Sequence, residues 1–418
     1  MIAKKIAKES RPQTVRLQMT LQEAQVVDAL RRQLAVSRTD ISRVTSWSRP
    51  KVTTVIEKMI NRGLLEEVGE GDSQGGRRPR LLRLNSQLGY VVGVDIGATS
   101  MDLALADLNG QVLLRGSGPA NVRDEPGVLL GEVKRRLSDL LDRQGLGPEQ
   151  ILSVGVGVPG PVDFARGVLV APPLMPSWEN YPIRDFFYRL FPYASVSVDN
   201  DVNMMALGEL RVGAGAGIDN FIFVKIGTGI GAGIISHGMV HRGSAGSAGD
   251  IGHIRADRNG PTCRCGNTGC LEMVAAGPAI AERAIEAAKT GSSPILRKKL
   301  EANGGVLKSE DVGVAAREGD RVAIEIIQSS GQMIGDVLSG LVNFFNPSLI
   351  LIGGGVSNIG NQLLASIRQA VLRQSTALAT RELVISYSPM GAEAGVTGAI
   401  HLALDHMFMI GDTRRATA

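Results

Sequence analysis

The spacing of apolar residues divides the chain into two regimes. In the first 88 residues apolar positions recur with helical period. Val26, Val27, Leu30 and Leu34 line a first helix, opened by Thr20 with Glu23 three residues on, a capping-box pattern. Ser37, followed by Asp40, caps a short second helix. Val52, Val55, Ile56, Met59 and Ile60 form one stripe on a third. Ser48 stands where it would cap that helix, Pro50 is tolerated in its first turn, and Gly63 ends it. The stretch "LLEEVGEGDSQGGRRPRLLRLN" then reads as strand, glycine-rich loop and strand. From Tyr90 the texture changes to buried runs. Val91 to Val94 starts a three-strand meander with a turn at Asn109-Gly110, and the runs "VGVGV", "FIFV" and "LILI" follow.

Composition agrees with strands and turns more than with an aromatic-rich sandwich: 52 glycines, 44% hydrophobic and 4% aromatic residues in 418 positions, enough for more than one domain. The basic N-terminus lacks the apolar core of a secretory signal. The best membrane candidate, "FIFVKIGTGIGAGII", is too short and carries Lys225. Three cysteines cannot all pair, and a cytoplasmic protein is expected.

Charge separates the same two regimes. Residues 1–88 carry 17 Lys/Arg against 9 Asp/Glu, and the remainder carries 28 against 32. A basic head on a slightly acidic body points to a polyanionic partner for the head. Arg49, Lys51, Thr53 and Thr54 lie opposite the apolar stripe near the start of the third helix, where a recognition helix meets bases and phosphates. Arg77, Arg78 and Arg80 are expected at the tip of the following hairpin, suited to a narrow minor groove. The plainer reading is a helical bundle with a solvated basic face; three short helices, a basic third helix and an arginine-tipped hairpin together favour DNA. The arrangement resembles the winged helix-turn-helix of bacterial sugar-responsive repressors.

Three glycine-rich turns punctuate the body. Asp95, Gly97 and Thr99 follow the first strand. Gly227, Thr228 and Gly229 follow "FVKI", and Gly353, Gly354 and Gly355 follow "LILI". Glycine permits close backbone approach to a phosphate, Thr and amide groups donate to it, and Asp can hold hydrated Mg2+. Each turn alone is commonplace. In this order they resemble the phosphate-1, phosphate-2 and adenosine motifs of the actin-like ATPase and sugar kinase superfamily. Between them, "SVDNDVNMMALGE" places Asn200 and Asp201 at a strand end, where Asp could accept a sugar hydroxyl proton. A polar turn with an Asx cap explains the same letters.

All the cysteines, Cys263, Cys265 and Cys270, fall within "GHIRADRNGPTCRCGNTGCLE", with His253 ten residues before the first. The ligand count is that of a closed, structural Cys3His zinc site. A redox pair and three unbound thiols are the alternatives.

This segment, with "AGDIGH" before it and "GAEAGVTGAIHLAL" near the end, closely resembles the signature of the ROK family (repressors, open reading frames, kinases) from about residue 20 to about 405. The resemblance implies structural zinc on His253, Cys263, Cys265 and Cys270. It implies sugar contacts from Asn200, Asp201, Asp250, His253 and Glu272, with Asp201 as general base in kinase members. Nucleotide contacts would fall to Asp95, Gly97, Thr99, Gly227, Thr228, Gly229, Gly354 and Gly355, with Mg2+ and ATP. The family usually has Glu where this chain has Asp250, a carboxylate about 1.5 Å shorter in reach, and Ala98 and Ala232 replace frequent glycines.

The expected architecture is a winged helix-turn-helix domain at 1–88 on an α/β, actin-like (ribonuclease H-like) body of two lobes. The small lobe spans 89–199 and is completed by 397–418; the large lobe spans 200–396. The expected function is a sugar-responsive transcriptional regulator, a repressor that binds operator DNA as a homodimer or homotetramer. The alternative is an ATP-dependent sugar kinase.

Overall fold

A computed structural model describes residues 19–31, 37–70 and 78–408. The head comprises α1 (Leu21–Arg31), α2 (Arg38–Thr45), α3 (Arg49–Asn61), β1 (Leu65–Glu70) and β2 (Arg80–Leu84). The two strands pair antiparallel with Leu65 opposite Leu84. Three helices followed by a two-stranded wing make a winged helix-turn-helix.

Local chemistry accounts for the helix starts. The Thr20 N–H donates to Glu23 Oε2 at 2.7 Å, and the Glu23 N–H to Thr20 Oγ1 at 3.3 Å, closing the capping box. Ser37 Oγ accepts from the Asp40 N–H at 3.2 Å. Ser48 departs from expectation: it stands at the N-cap of α3, but its side chain accepts no cap hydrogen bond. A cap accepts from the second or third helical N–H, and the second residue is Pro50, which has none. The stripe of α3 is buried at Val52, Val55, Ile56 and Met59, with Ile60 half-buried. Leu34 lies outside the described residues.

The chain divides into two units, 1–199 with 396–418, and 200–395. Unit 1 holds the head and a five-stranded sheet. Its strands are β3 (Tyr90–Ile96), β4 (Ser100–Asp107), β5 (Val112–Pro119), β6 (Ile151–Val158) and, after the short hairpin β7 (Val162–Asp163) and β8 (Val168–Leu169), β9 (Ser195–Asn200), in the order β5-β4-β3-β6-β9. On one face, α4 (Pro126–Gln144) and α5 (Ile183–Leu190) bury Leu130, Val133, Leu137 and Phe187 against Val92, Val94, Val154 and Val156. The other face is covered by the C-terminal helix (Glu393–Met407), most of which belongs to this unit.

That helix lies on glycines for a steric reason. A Cβ on Gly155 would stand 1.9 Å from the Ala399 carbonyl oxygen, and one on Gly93 would stand 2.8 Å from that of Val396. Only residues without a side chain permit this approach. The core beneath is continuous with the head: Val26, Val27, Ile56 and Leu84 cluster with Val91, Ala104, Ile400, Leu404 and Phe408. The turn residue Asn109 also binds the wing, accepting from the Leu84 N–H at 3.0 Å and donating to the Leu84 carbonyl at 2.9 Å.

Unit 2 begins with α6 (Asp201–Val212), β10 (Phe221–Ile226), β11 (Ile230–Ser236) and β12 (Met239–Val240). The helices α7 (Leu271–Ala275), α8 (Gly277–Lys289), α9 (Pro294–Ala302), α10 (Ser309–Arg317) and α11 (Arg321–Phe345) follow, then β13 (Leu349–Gly353), α12 (Asn361–Gln374), α13 (Ala377–Thr380) and β14 (Val384–Tyr387). Its sheet runs β12-β11-β10-β13-β14, with β10 antiparallel to β11 and parallel to β13. In both units the strands stand third, second, first, fourth, fifth in chain order. This repeated meander with two further strands is the actin-like, ribonuclease H-like fold. The β10 strand alternates faces: Ile222, Val224 and Ile226 enter the core with α8 and α11, while Phe221 and Phe223 pack with Val202, Met205 and Ala206 of α6.

Candidate functional site

The four residues read as metal ligands do converge. A short 3-10 turn, Ile251–His253, presents the histidine, a tight loop between Thr262 and Thr268 presents Cys263 and Cys265, and Cys270 stands at the N-cap of α7, bridged to Arg255. The Cys263 N–H donates to the Asn267 carbonyl at 2.7 Å and the Gly266 N–H to the Cys263 carbonyl at 2.9 Å. Gly269 has φ +72°, and a Cβ there would meet the Asp257 carbonyl oxygen at 1.5 Å, so this turn requires glycine.

One donor atom from each of His253, Cys263, Cys265 and Cys270 lies within 4.8 Å of all the others. Cys265 Sγ stands 3.6 Å from Cys270 Sγ, and Cys263 Sγ 3.5 Å from His253 Nδ1. Zinc with bonds of about 2.3 Å to sulfur and about 2.05 Å to nitrogen spans tetrahedral edges of about 3.8 and about 3.6 Å, so the donor set fits that ion. The three thiols are free. The Asn267 backbone N–H beside Cys265 holds that thiol down at about 7. Burial, with the two neighbouring thiols, pushes Cys270 up to about 12, and burial also raises Cys263. Thiols this crowded resist ionising together, and a central divalent cation would reverse that.

Two carboxylates flank the histidine. Asp250 Oδ1 is 3.8 Å from His253 Nε2, and Glu272 Oε1, in the first turn of α7, is 3.8 Å from His253 Nδ1. Glu272 also faces the β10–β11 turn, since a Cβ on Gly229 would stand 3.0 Å from its Oε2. Asp201 reaches the same hairpin from the other side through Lys225, whose Nζ lies 2.5 Å from Asp201 Oδ2. Asn200 caps α6, its Oδ1 accepting from the Val202 and Asn203 N–H groups at 2.9 and 3.3 Å. The plainer Asx-cap reading of Asn200 is therefore realised.

The glycine turns fall into two sets. Gly227, Thr228 and Gly229 close the β10–β11 hairpin, and Gly354 and Gly355 follow β13, at the carboxyl ends of neighbouring parallel strands, where open α/β sheets bind ligands. Gly354 has φ +88°, and a Cβ there would clash with the Ile226 carbonyl oxygen at 2.4 Å. Asp95, Gly97 and Thr99 end β3 in unit 1, with the Gly97 N–H donating to the Ser100 carbonyl at 2.7 Å.

In the head, Arg49, Lys51 and Thr54 are exposed and Thr53 is half-buried. Lys51 Nζ sits 4.4 Å from the centre of the Trp47 ring. The hairpin arginines differ from expectation. Arg77 lies outside the described residues and Arg78 is exposed. Arg80 is not at a loop tip: it is the first residue of β2 and pairs with Glu67 at 2.6 Å, which also takes Arg38 of α2. Glu67, the third residue of β1, lies opposite Leu82 and captures the Arg80 side chain, a pairing that only the strand register reveals.

Lys225 escaped the sequence reading, where it counted only against a membrane span. The signal was present: on the face of β10 that buries Phe221 and Phe223, the next residue is a lysine.

A repeated ribonuclease H-like unit, a winged head and a Cys3His cluster beside two acids define one class. The chain belongs to the ROK family, which it matches over residues 91–406, as one of its transcriptional regulators. The xylose repressor of Caldicellulosiruptor bescii is 32% identical over 377 residues, 89% of this chain and 92% of that protein. The glucokinase of Thermotoga maritima is 32% identical over 311 residues, 74% of this chain and 95% of the enzyme. A crystal structure of a ROK family transcriptional regulator, a homologue of the E. coli Mlc protein, aligns with a TM-score of 0.77 at 26% identity, covering 93% of this chain and 98% of that one.

Proposed function

We propose that the protein is a cytoplasmic, sugar-responsive repressor. In this reading 1–88 binds operator DNA, 89–199 with 397–418 carries the head, and 200–396 binds sugar. Arg49, Lys51, Thr53, Thr54 and Arg78 meet the DNA. Asp201, Asp250, His253 and Glu272 meet sugar hydroxyls, with Asn200 as a helix cap beside them. Zinc on His253, Cys263, Cys265 and Cys270 fixes the imidazole, leaving Nε2 for the ligand. Two heads matching two half-sites require a homodimer or homotetramer. No helix among the described residues is long and apolar enough to cross a membrane.

The observation that carries this reading is the exposed basic first turn of α3 on a chain that also holds the histidine–carboxylate cluster. To test it, duplex DNA is selected from a randomised pool with the purified protein. Binding is then measured with and without D-xylose or D-glucose. Sequence-selected binding that one sugar weakens is expected; a failure to enrich any sequence would sink the reading.

A second reading, an ATP-dependent sugar kinase, is favoured by the paired glycine turns after β10 and β13 and by the likeness to a glucokinase. Asp201 would be the general base. Asp95, Gly97, Thr99, Gly227, Thr228, Gly229, Gly354 and Gly355 would hold Mg·ATP. Sugar-dependent ATP consumption abolished by Asp201→Asn is its test.

A further inference from the structure

We propose that Trp47 is a positioning residue for DNA binding: its ring holds the Lys51 ammonium where it meets a phosphate of the duplex, and the bound duplex shields the ring. This rests on the reading of the head as DNA-binding. Trp47 lies in the turn between α2 and α3, after Ser46, whose backbone is left-handed at φ +57°. Its own backbone is fixed to α2 twice. The Trp47 N–H donates to Thr45 Oγ1 at 3.4 Å, and the Trp47 carbonyl accepts from Ser42 Oγ at 2.7 Å. The ring is half-buried and packs against the apolar core of the head. Lys51, in the first turn of α3, is exposed, and its Nζ lies 4.4 Å from the centre of that ring. Arg38, Arg62, Arg80 and Arg83 of the head are each paired with a glutamate. Lys51 has no such acid among the described residues and is held by an aromatic face instead.

The difference matters for an anion. A carboxylate would hold the lysine and cancel the charge a phosphate needs; a ring attracts the ammonium through its quadrupole and leaves the charge whole. The ammonium has three donors. The ring occupies one side of it, so the others stay open to a phosphate oxygen. A lysine stem loses rotamer freedom when it docks. Stacked on a residue anchored to α2, Lys51 has given up part of that freedom before DNA arrives. A phosphate oxygen at about 2.8 Å from the ammonium lies within about 7 Å of the ring centre. The duplex that Lys51 meets therefore stands over the indole as well.

The test is a double-mutant cycle of wild type, Trp47→Leu, Lys51→Met and the two combined, with Trp47→Phe as rescue. Affinity for the duplex selected from the randomised pool is measured across a range of salt, and thermal melts check the fold. Lys51→Met is expected to reduce the salt dependence of log K by about one unit of slope. Trp47→Leu should weaken binding by roughly fivefold, the scale of one cation–π contact, with the slope unchanged, because no charge is removed. In the Lys51→Met background the same change should cost nothing further, and Trp47→Phe should restore most of the affinity. A separate measurement needs no variant. Trp178 is 0% exposed, so acrylamide quenching of the wild-type protein reports Trp47 of the two tryptophans, and it should fall when the duplex is bound. A loss in Trp47→Leu that persists undiminished in the Lys51→Met background overturns the proposal, since Trp47 then acts through the fold. Quenching unchanged by saturating duplex overturns it too. A wild-type protein that binds no duplex removes the DNA-binding reading, and this inference with it.

Discussion

Arg31, the last residue of α1, donates to the carboxylate of Asp405 at 2.7 Å, across 374 positions of sequence. Its other terminal nitrogen lies 3.4 Å from His401 Nδ1, and its guanidinium carbon 5.7 Å from the centre of the Phe408 ring. The side chain of Arg31 is 3% exposed. The first helix of the head is thus tied to the last helix of the chain by a charged pair set in an apolar core.

Breaking a largely buried ion pair costs far more than breaking a surface one. Arg31→Ala is expected to destabilise unit 1 by about 3 kcal/mol. Thermal unfolding checks the size, and limited proteolysis checks the place: the head should be cut first.

Gly155→Ala forces a methyl group against the Ala399 carbonyl. Neither partner is a flexible side chain, so the cost is expected at about 3 kcal/mol or more, the upper end of overpacking. Urea unfolding measures it, and DNA binding should fall with it.

Acid should loosen the head. Burial alone would push Glu23 up, but the Thr20 N–H and the Arg62 guanidinium outweigh it and hold the carboxyl below the usual carboxylate range. A carboxyl depressed in the folded state contributes stability above its unfolded value of about 4.3. That contribution is lost as pH falls through the lower folded value. Fluorescence of Trp47 in a Trp178→Phe background should report the transition, and Glu23→Gln should remove its acid-dependent part.

Cys270→Ser takes a buried donor from the cluster. Zinc content is expected to fall well below one per chain, with a lower Tm and a sugar affinity weaker by about tenfold, because His253 loses its anchor. Elemental analysis, thermal melts and calorimetry with D-xylose and D-glucose read the three effects.

Arg49→Ala should weaken DNA binding and reduce the salt dependence of log K by about one unit of slope, as for one lost phosphate contact. Sugar-induced stabilisation should not change. Loss of both would mean that Arg49 supports the fold.

Patterns confined to one element were legible in the sequence. The stripe of α3, the capping box at Thr20, the N-cap at Ser37, the glycine turns and the Cys3His spacing are set by neighbours a few positions apart. What escaped depends on partners brought from afar. Arg80 was expected at a tip and is held by Glu67 across the hairpin. Ser48 stands at the N-cap of α3 beside Pro50, which has no N–H, and accepts no cap hydrogen bond. Lys225 makes sense only once β10 lies beside α6. The repeated strand order and the core joining the head to the C-terminal helix leave no local trace, because they are properties of which runs become neighbours.

The continuous core of Val26, Ile56, Leu84, Ile400 and Phe408 has a consequence for anyone building hybrids of such regulators. The DNA-reading part is not a portable cassette. A graft that stops near residue 88 would carry half an interior and leave the other half facing water on its old scaffold. A working transplant has to move both ends of the chain, the opening helices together with the closing one that completes them.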